Sequence, residues 1–384
     1  MSLSRRSLVS GLAAGLGYAS LRPTELLART RIGRFQRGGG IDLSVVAKIN
    51  NNENPYGPSE VVMQAMNSAW EWANRYGTPD GGLMEGIQAL HGVERDNILM
   101  GAGSGEILDV VGTTFCLGGK KVLGVEPSYG SVYSHARRVG GDAILRPLNA
   151  DYSQNIPDLI QVANQRASEI GFVYLCNPNN PTGVVVPAND VRRLLDGIPA
   201  DMPVLIDEAY HHFIDDPAYA TSIPYVLEGR PVIVTRTFSK IAGLAAMRLG
   251  YGVAPAEIID KMSPFSTGSQ NVLVKFGGAA SLRDIEGQER VKALNIKVRE
   301  WTIAELRAYG YDVIPSQTNF FMVDVKRDVR EVAQEFRRFD VLVGRPFSPM
   351  DQHLRVSVGT EDEMRRFMAA FREIFPTAAN AAAA

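Results

Sequence analysis

Short apolar runs punctuate the middle of the chain: "NILM" (97–100), "KVLGV" (121–125), "FVYLC" (172–176), "PVLID" (203–207), "PVIVT" (231–235) and "LGYGVA" (249–254). Stretches with apolar residues at helical spacing separate many of them, at 104–115, 131–139 and 188–197. Continuous apolar strands interleaved with helices predict an α/β fold with a mostly parallel sheet flanked by helices. Upstream, "SEVVMQAMNSAWEWA" (59–73) reads as a helix opened by Ser59. From about residue 284 the texture changes. "EGQERVKALNIKVREWTIAELRAYG" is a long amphipathic helix ending at Gly310. Strand-like "FFMVDV" (320–325), a helix at 328–339, strands "VLVG" (341–344) and "LRVSVG" (354–359) and a closing helix at 361–374 follow it. That makes a smaller α+β unit. The pattern divides the chain into an N-terminal arm with part of the small domain (31–75), a large domain (76–283) and a small C-terminal domain (284–384).

Residues 1–30 stand apart. Arg5-Arg6 precede an apolar, Gly/Ala-rich run from Leu8 to Ala19 that is too short for a comfortable membrane span. The arrangement reads as a twin-arginine export signal and predicts a periplasmic or exported protein. A weakly apolar, fraying arm on a cytoplasmic protein is the alternative. No other stretch is a membrane-span candidate. At 384 residues, 45% hydrophobic and 21% charged, the chain has the make-up of a soluble globular protein with a substantial core. A net charge of -2 gives no basic field for nucleic acid. The five His and two Cys show no zinc-site spacing, and no metal is expected. The adjacent His211 and His212 would point to opposite faces of a strand, which favours packing or a loop rim over ligation.

Parallel α/β sheets place their ligand sites at the carboxyl ends of the strands. Here those ends carry polar chemistry in succession: "GAGSGE" (101–106), "EPSYG" (126–130), "NPNNPTG" (177–183), "DEAY" (207–210) and "TRTFSK" (235–240). "GAGSGE" opens a helix with small residues, so its free N–H groups suit a phosphate. Arg248 and Ser239 supply further phosphate donors, and Arg248 is expected one helical face after Lys240. Asp207, after three apolar residues, is either a cap or a buried carboxylate facing a cation. One lysine, Lys240, leaves a strand among small and apolar residues. A phosphate nest, an arginine, a buried carboxylate, a phenol, a flat aromatic and an amine together match pyridoxal 5'-phosphate.

At these residues the chain resembles the fold-type I pyridoxal-phosphate-dependent aminotransferases, in their histidinol-phosphate aminotransferase-like branch. "NNNENPYGPS", "GAGSGEIL", "CNPNNPTG", "DEAYHHF", "TFSKIAGLAAMRLGY", "SQTNFFMV" and "LRVSVGT" occur in that family's order between about Lys48 and Phe375. The resemblance implies that Lys240 bonds to the cofactor aldehyde and then moves the α-proton. Asp207 would pair with the ring nitrogen, Tyr210 and Asn180 with the ring hydroxyl, and Tyr129 would stack on the ring. Ser104, Gly105, Ser239, Arg248 and Thr237 would bind the phosphate, joined by Tyr76 of a second copy in a homodimer. Arg355 would clamp the substrate carboxylate, Arg345 would meet its distal group, and Asn54 and Asn319 would line the substrate site. Gly105 and Gly77 stand where many relatives have Asp and Pro, and Ala246-Met247 replaces a commoner Gly-Leu. No catalytic atom is lost. The implied reaction passes an amino group from a small-molecule donor resembling histidinol phosphate to 2-oxoglutarate. Aromatic donors, which Phe320, Tyr56 and Phe347 would suit, or decarboxylation of an amino-acid phosphate are alternatives within the fold. A non-catalytic ligand-binding protein is a remote one.

Overall fold

The computed structural model describes residues 42–376. The export-signal reading, with Arg5 and Arg6, lies outside the described residues, as does the Ala-rich tail. The strands are β1 (Ala47–Lys48), β2 (Ile98–Gly101), β3 (Lys121–Glu126), β4 (Asp142–Pro147), β5 (Ile170–Cys176), β6 (Val204–Asp207), β7 (Val232–Thr237), β8 (Gly250–Val253), β9 (Phe320–Asp324), β10 (Val341–Leu342) and β11 (His353–Ser357). Seven of them form one sheet in the order β2-β8-β7-β6-β5-β3-β4. The run from β7 through β6, β5 and β3 to β4 is parallel throughout.

Strand periodicity sends alternate residues to opposite faces, and both faces are buried. Val204, Ile206, Val232 and Val234 join one apolar core. Leu205, Ile233, Phe172 and Tyr174 join another on the far side. Helices Ser104–Cys116, Ser131–Arg138, Ile156–Gln165 and Ala188–Gly197 connect the strands. Asn155 caps the third of these by accepting the Asp158 N–H. The edge strand β4 carries no strong apolar signal, because it buries only Ile144. That is why periodicity passes over β4.

β8 departs from the parallel expectation. It runs antiparallel to both β7 and β2. The segment between β7 and β8 contains only a short 3₁₀ turn, Ala245–Met247. Arg248 therefore does not follow Lys240 on a helix face as expected. It comes back at the mouth of a hairpin-like loop, which returns it to the sheet end that Lys240 left.

A second core lies in the C-terminal part. β9 and β11 pair antiparallel, and β1 pairs parallel with β10. Phe321, Val323, Phe336, Leu354, Phe367 and Phe371 fill this core, with Ala47 and Ile49 from the N-terminal side. The Glu361–Ile374 helix starts in a capping box between Thr360 and Glu363. The helix at Glu60–Ser68 is capped by the Ser59 side chain, and its Val62 enters the core of the large sheet. Cys116 and Cys176 are both free thiols, buried on the same side of that sheet.

Candidate active site

The polar ends of β2, β6 and β7, together with Tyr129 after β3, enclose a cavity of about 200 Å³. Ser104 and Gly105 reach it from the first turn of the Ser104–Cys116 helix, and Arg248 from the loop before β8. A helix N-terminus presents unsatisfied N–H groups and a positive dipole end. Here it meets the Arg248 side chain, which donates from Nη1 to Ser239 Oγ (3.3 Å) and from Nη2 to the Ala102 carbonyl (3.1 Å). Gly103 makes this approach feasible: at φ 85°, a Cβ there would run into the Arg248 guanidinium. Arg248 is itself held at φ 61°. The Thr237 hydroxyl donates to Ser239 Oγ (2.9 Å). This end of the cavity is a cradle of cationic and neutral donors suited to a dianion.

Asp207 lies at the opposite pole. It is buried at the end of β6 and accepts from Thr235 Oγ1 (3.0 Å) and from the Ala209 N–H (3.3 Å), both at Oδ1. Burial, the largest influence, lifts its carboxyl to about 6. A carboxylate so desolvated ionises readily only opposite a cation. Lys240 lies between the poles, half-buried. Its Nζ donates to the Asn51 carbonyl (3.3 Å) and stands 5.4 Å from the centre of the Tyr210 ring. Burial first, then the Arg355 charge, bring its amine down to about 8, against the opposing pull of Glu53 and Asp207.

Tyr210 is buried against Phe320, with ring centres 5.0 Å apart. Its oxygen accepts from Asn180 Nδ2 (3.2 Å) and Asn52 Nδ2 (3.1 Å). Both lone pairs are thereby engaged and the phenol proton is left to donate. Asn180 Oδ1 in turn accepts from Arg355 Nη1 (2.9 Å), while Arg355 Nη2 donates to the Asn50 carbonyl (2.7 Å). Arg355 is only 6% exposed, and its Nε has no partner. No carboxylate pairs with it among the described ion pairs. Its guanidinium lies 4.7 Å from the centre of the Phe347 ring, and Arg345 lies 4.2 Å from the same centre. Burial lowers Arg355 to about 10, and the neighbouring Arg345 charge contributes.

Of the residues expected from sequence, the cavity brings together Lys240, Asp207, Tyr210, Tyr129, Ser104, Gly105, Thr237, Ser239 and Arg248. Asn180 and Arg355 join it through Tyr210. Three others are placed elsewhere. Tyr76 stands fully exposed. The Asn54 amide is committed to the Ile241 and Gly57 carbonyls, and its oxygen to the Tyr56 N–H. Asn319 Nδ2 holds the Asn52 and Glu53 carbonyls. Both asparagines therefore brace the loop that presents Asn51 and Asn52 and do not face the cavity with free donors. Asn52 was not singled out in the sequence. It takes φ 55°, which Asn tolerates, and its side chain also accepts from Ser357 Oγ (2.8 Å). The run "NNNEN" carries the signal, but local pattern does not say which Asn faces Tyr210. Glu53, another lining residue, pairs with Lys48. His211 and His212 are not on a strand. They form a short, half-buried 3₁₀ turn with ring centres 3.6 Å apart.

A family model of aminotransferase class I and II matches residues 44–371. The chain belongs to this family. It is 34% identical over 340 residues to a histidinol-phosphate aminotransferase of Moorella thermoacetica, covering 86% of this chain and 85% of that one. To the histidinol-phosphate aminotransferase of Caldicellulosiruptor saccharolyticus it is 33% identical over 343 residues, covering 87% and 93%. Among solved structures, the histidinol-phosphate aminotransferase of Sinorhizobium meliloti in complex with pyridoxal-5'-phosphate superposes with a TM-score of 0.80 at 24% identity, over 86% and 90% of the two chains. The protein is thus an aminotransferase of the histidinol-phosphate aminotransferase-like kind, and pyridoxal 5'-phosphate is the cofactor of its family. The residues present fit that group. The donor cradle suits its phosphate, the buried Asp207 its ring nitrogen, the Tyr210 proton its ring oxygen, and Lys240 its aldehyde.

Proposed function

We propose that this aminotransferase moves the amino group of an L-histidinol phosphate-like donor, an amino-alcohol phosphate, to 2-oxoglutarate. The observation that carries the reading is Arg355, a buried guanidinium with an unpartnered Nε and no carboxylate, beside a second cation at Arg345. Two guanidiniums over one ring offer an anionic substrate group charge-assisted, bidentate bonds. The names of the curated relatives point the same way.

Each residue has an assigned task. Ser104, Gly105, Ser239 and Arg248, with Thr237 beside them, hold the cofactor's anionic end. Asp207 holds a proton at its ring nitrogen, Tyr210 donates to its ring oxygen, and Tyr129 covers its face. Bound pyridoxal 5'-phosphate supplies an aldehyde that bonds to amines and a ring that accepts electrons. Lys240, with its amine brought down to about 8, is partly neutral near physiological pH. It acts first as nucleophile, and once displaced it takes the proton from the donor's α-carbon and would deliver it to the carbon that carried the cofactor's aldehyde. Arg355 fixes the acceptor carboxylate so that the acceptor's keto carbon faces Lys240.

A second reading, an aromatic amino acid donor, is favoured by Phe320 and Phe347, both buried beside Arg355. A panel of amino donors with 2-oxoglutarate decides between them. Higher kcat/KM for histidinol phosphate than for Phe or Tyr is expected, and the reverse order overturns the first reading. Lys240→Ala is expected to abolish turnover with every donor.

A further inference from the structure

The strands that present Asp207 and Lys240 carry something else on their other face. Odd-numbered positions of β6 and β7 face the cavity side, as Asp207, Thr235 and Thr237 do. Even-numbered ones face the core of Val204, Ile206, Val232 and Val234. Two charged residues continue that even series: Glu208 directly after Asp207, and Arg236 four residues before Lys240. Arg236 Nη2 lies 2.6 Å from Glu208 Oε2, with side-chain exposures of 6% and 0%. Among the described ion pairs no other has both partners so deeply buried.

The pair is tied by further bonds at both ends, with only Arg236 Nε left without a partner. Glu208 accepts the Ser222 N–H at 2.6 Å and the Thr221 hydroxyl at 2.9 Å. Arg236 Nη2 also meets Thr221 Oγ1 at 2.9 Å, and Nη1 meets His211 Nε2. This network sits where the backbone ladder stops. The last registered pair of β6 and β7 is Asp207 with Thr235, followed by one bond from the Glu208 N–H to the Thr235 carbonyl at 3.1 Å. Beyond it the chains diverge, β6 into the Tyr210 turn and β7 into the Lys240 loop.

A buried ion pair is a weak source of stability, because desolvating two charges offsets most of their attraction. Its directional bonds nevertheless set geometry. We propose that Arg236 and Glu208 are positioning residues: a buried clamp that holds the diverging ends of β6 and β7 in register and so fixes Lys240 relative to Asp207. The inference rests on Lys240 and Asp207 being the reacting pair of the proposed function.

The surroundings make the clamp insensitive to pH near neutrality. Burial, reinforced by the Arg236 charge, lowers His91 to about 4, His212 to about 3 and His211 well below its ordinary range. Burial likewise raises Tyr251 to about 12 and Tyr219 further. With Lys292 the only other charge among the influences on these groups, none of the histidines or tyrosines exchanges a proton between pH 6 and 9 (about;). A shift of the holoenzyme's titration in that window therefore reports the Lys240–Asp207 pair and not these neighbours.

The test is a paired variant, Arg236→Met with Glu208→Leu, which removes both charges and keeps apolar bulk. Three quantities are read: melting temperature, kcat and KM with the preferred donor, and the pH midpoint of the holoenzyme's visible absorbance change. The clamp predicts a melting temperature near wild type, a kcat lower by about tenfold or more with little change in KM, and a displaced pH midpoint. Wild-type kcat with an unmoved midpoint overturns it. If the paired variant does not fold, Glu208→Gln, which keeps shape and several hydrogen bonds, is expected to displace the midpoint in the same way. An unmoved midpoint there overturns the clamp as well. Lys240→Ala separates the two readings. If it turns over normally, the assignment of the site fails. If it is dead while the paired variant is normal, only the clamp fails.

Discussion

Asp207 pits stability against function within one side chain. Its carboxyl is raised to about 6 in the fold against an ordinary value near 3.8. The folded cofactor-free protein therefore binds more protons than the unfolded chain between these values, and stability falls as pH rises through the window. Asp207→Asn keeps an oxygen for Thr235 and Ala209 but carries no charge. It is expected to stabilise the cofactor-free protein above pH 6 by on the order of 2–3 kcal/mol, with the gain vanishing below pH 4 (about;). Thermal melts at several pH values check this, and the same variant is expected to lose turnover. Arg355 makes the complementary point. Lysine at that position keeps the charge but loses the planar fork that reaches Asn180, the Asn50 carbonyl and a carboxylate together. Arg355→Lys is expected to raise KM for 2-oxoglutarate by about tenfold to hundredfold, measured by steady-state kinetics at fixed donor.

Single elements carry roles that only their surroundings define. The Ser104–Cys116 helix was legible in the sequence from its periodicity and its small first turn. The need for Gly103 was not, because the obstacle is the guanidinium of Arg248, brought in from the distant loop before β8. Gly103→Ala combines left-handed strain with that collision, a penalty on the order of 1–3 kcal/mol. It is expected to weaken cofactor binding by about tenfold or more, read by absorbance titration of the cofactor-free protein. The Lys240 loop shows the converse. Lys240 and Arg248 stood out by residue type, but their spacing of eight suggested a helix. The reversed β8 replaces that helix with a hairpin return, and the antiparallel register of Thr237 with Gly250 sets Arg248 beside Ser239.

At the scale of the molecule, the fully exposed Tyr76 supports the proposal of a homodimer in which it serves the partner's cofactor phosphate. Light scattering is expected to return twice the chain mass. Mixed dimers of Tyr76→Phe and Lys240→Ala subunits are expected to carry one intact and one dead site, because the Lys240→Ala subunit lends its own Tyr76 to the site that keeps Lys240. A fully active monomer contradicts the proposal. Export is proposed from Arg5-Arg6 and the apolar run behind them. The expected outcome is a shorter periplasmic form in the native host, retained in the cytoplasm when both arginines are changed to lysine. Fractionation and immunoblotting check it.

Short-range pattern alone decided the alternation of strands and helices and the residue types at the strand ends. Periodicity, capping and turn chemistry are local properties of the chain. Lys240, Asp207 and Tyr210 were therefore readable as candidates, whereas Asn180 and Arg355 came only from the family resemblance. Their arrangement was not, because it depends on contacts between positions far apart in the chain. Asn52 reaches Tyr210 across 158 positions, and Arg355 reaches Asn180 across 175. The choice of Asn52 over Asn54, the reversal of β8 and the burial of Arg236 against Glu208 all arise from packing of distant segments. Such packing leaves no periodic trace in sequence, so only the tertiary structure decided them.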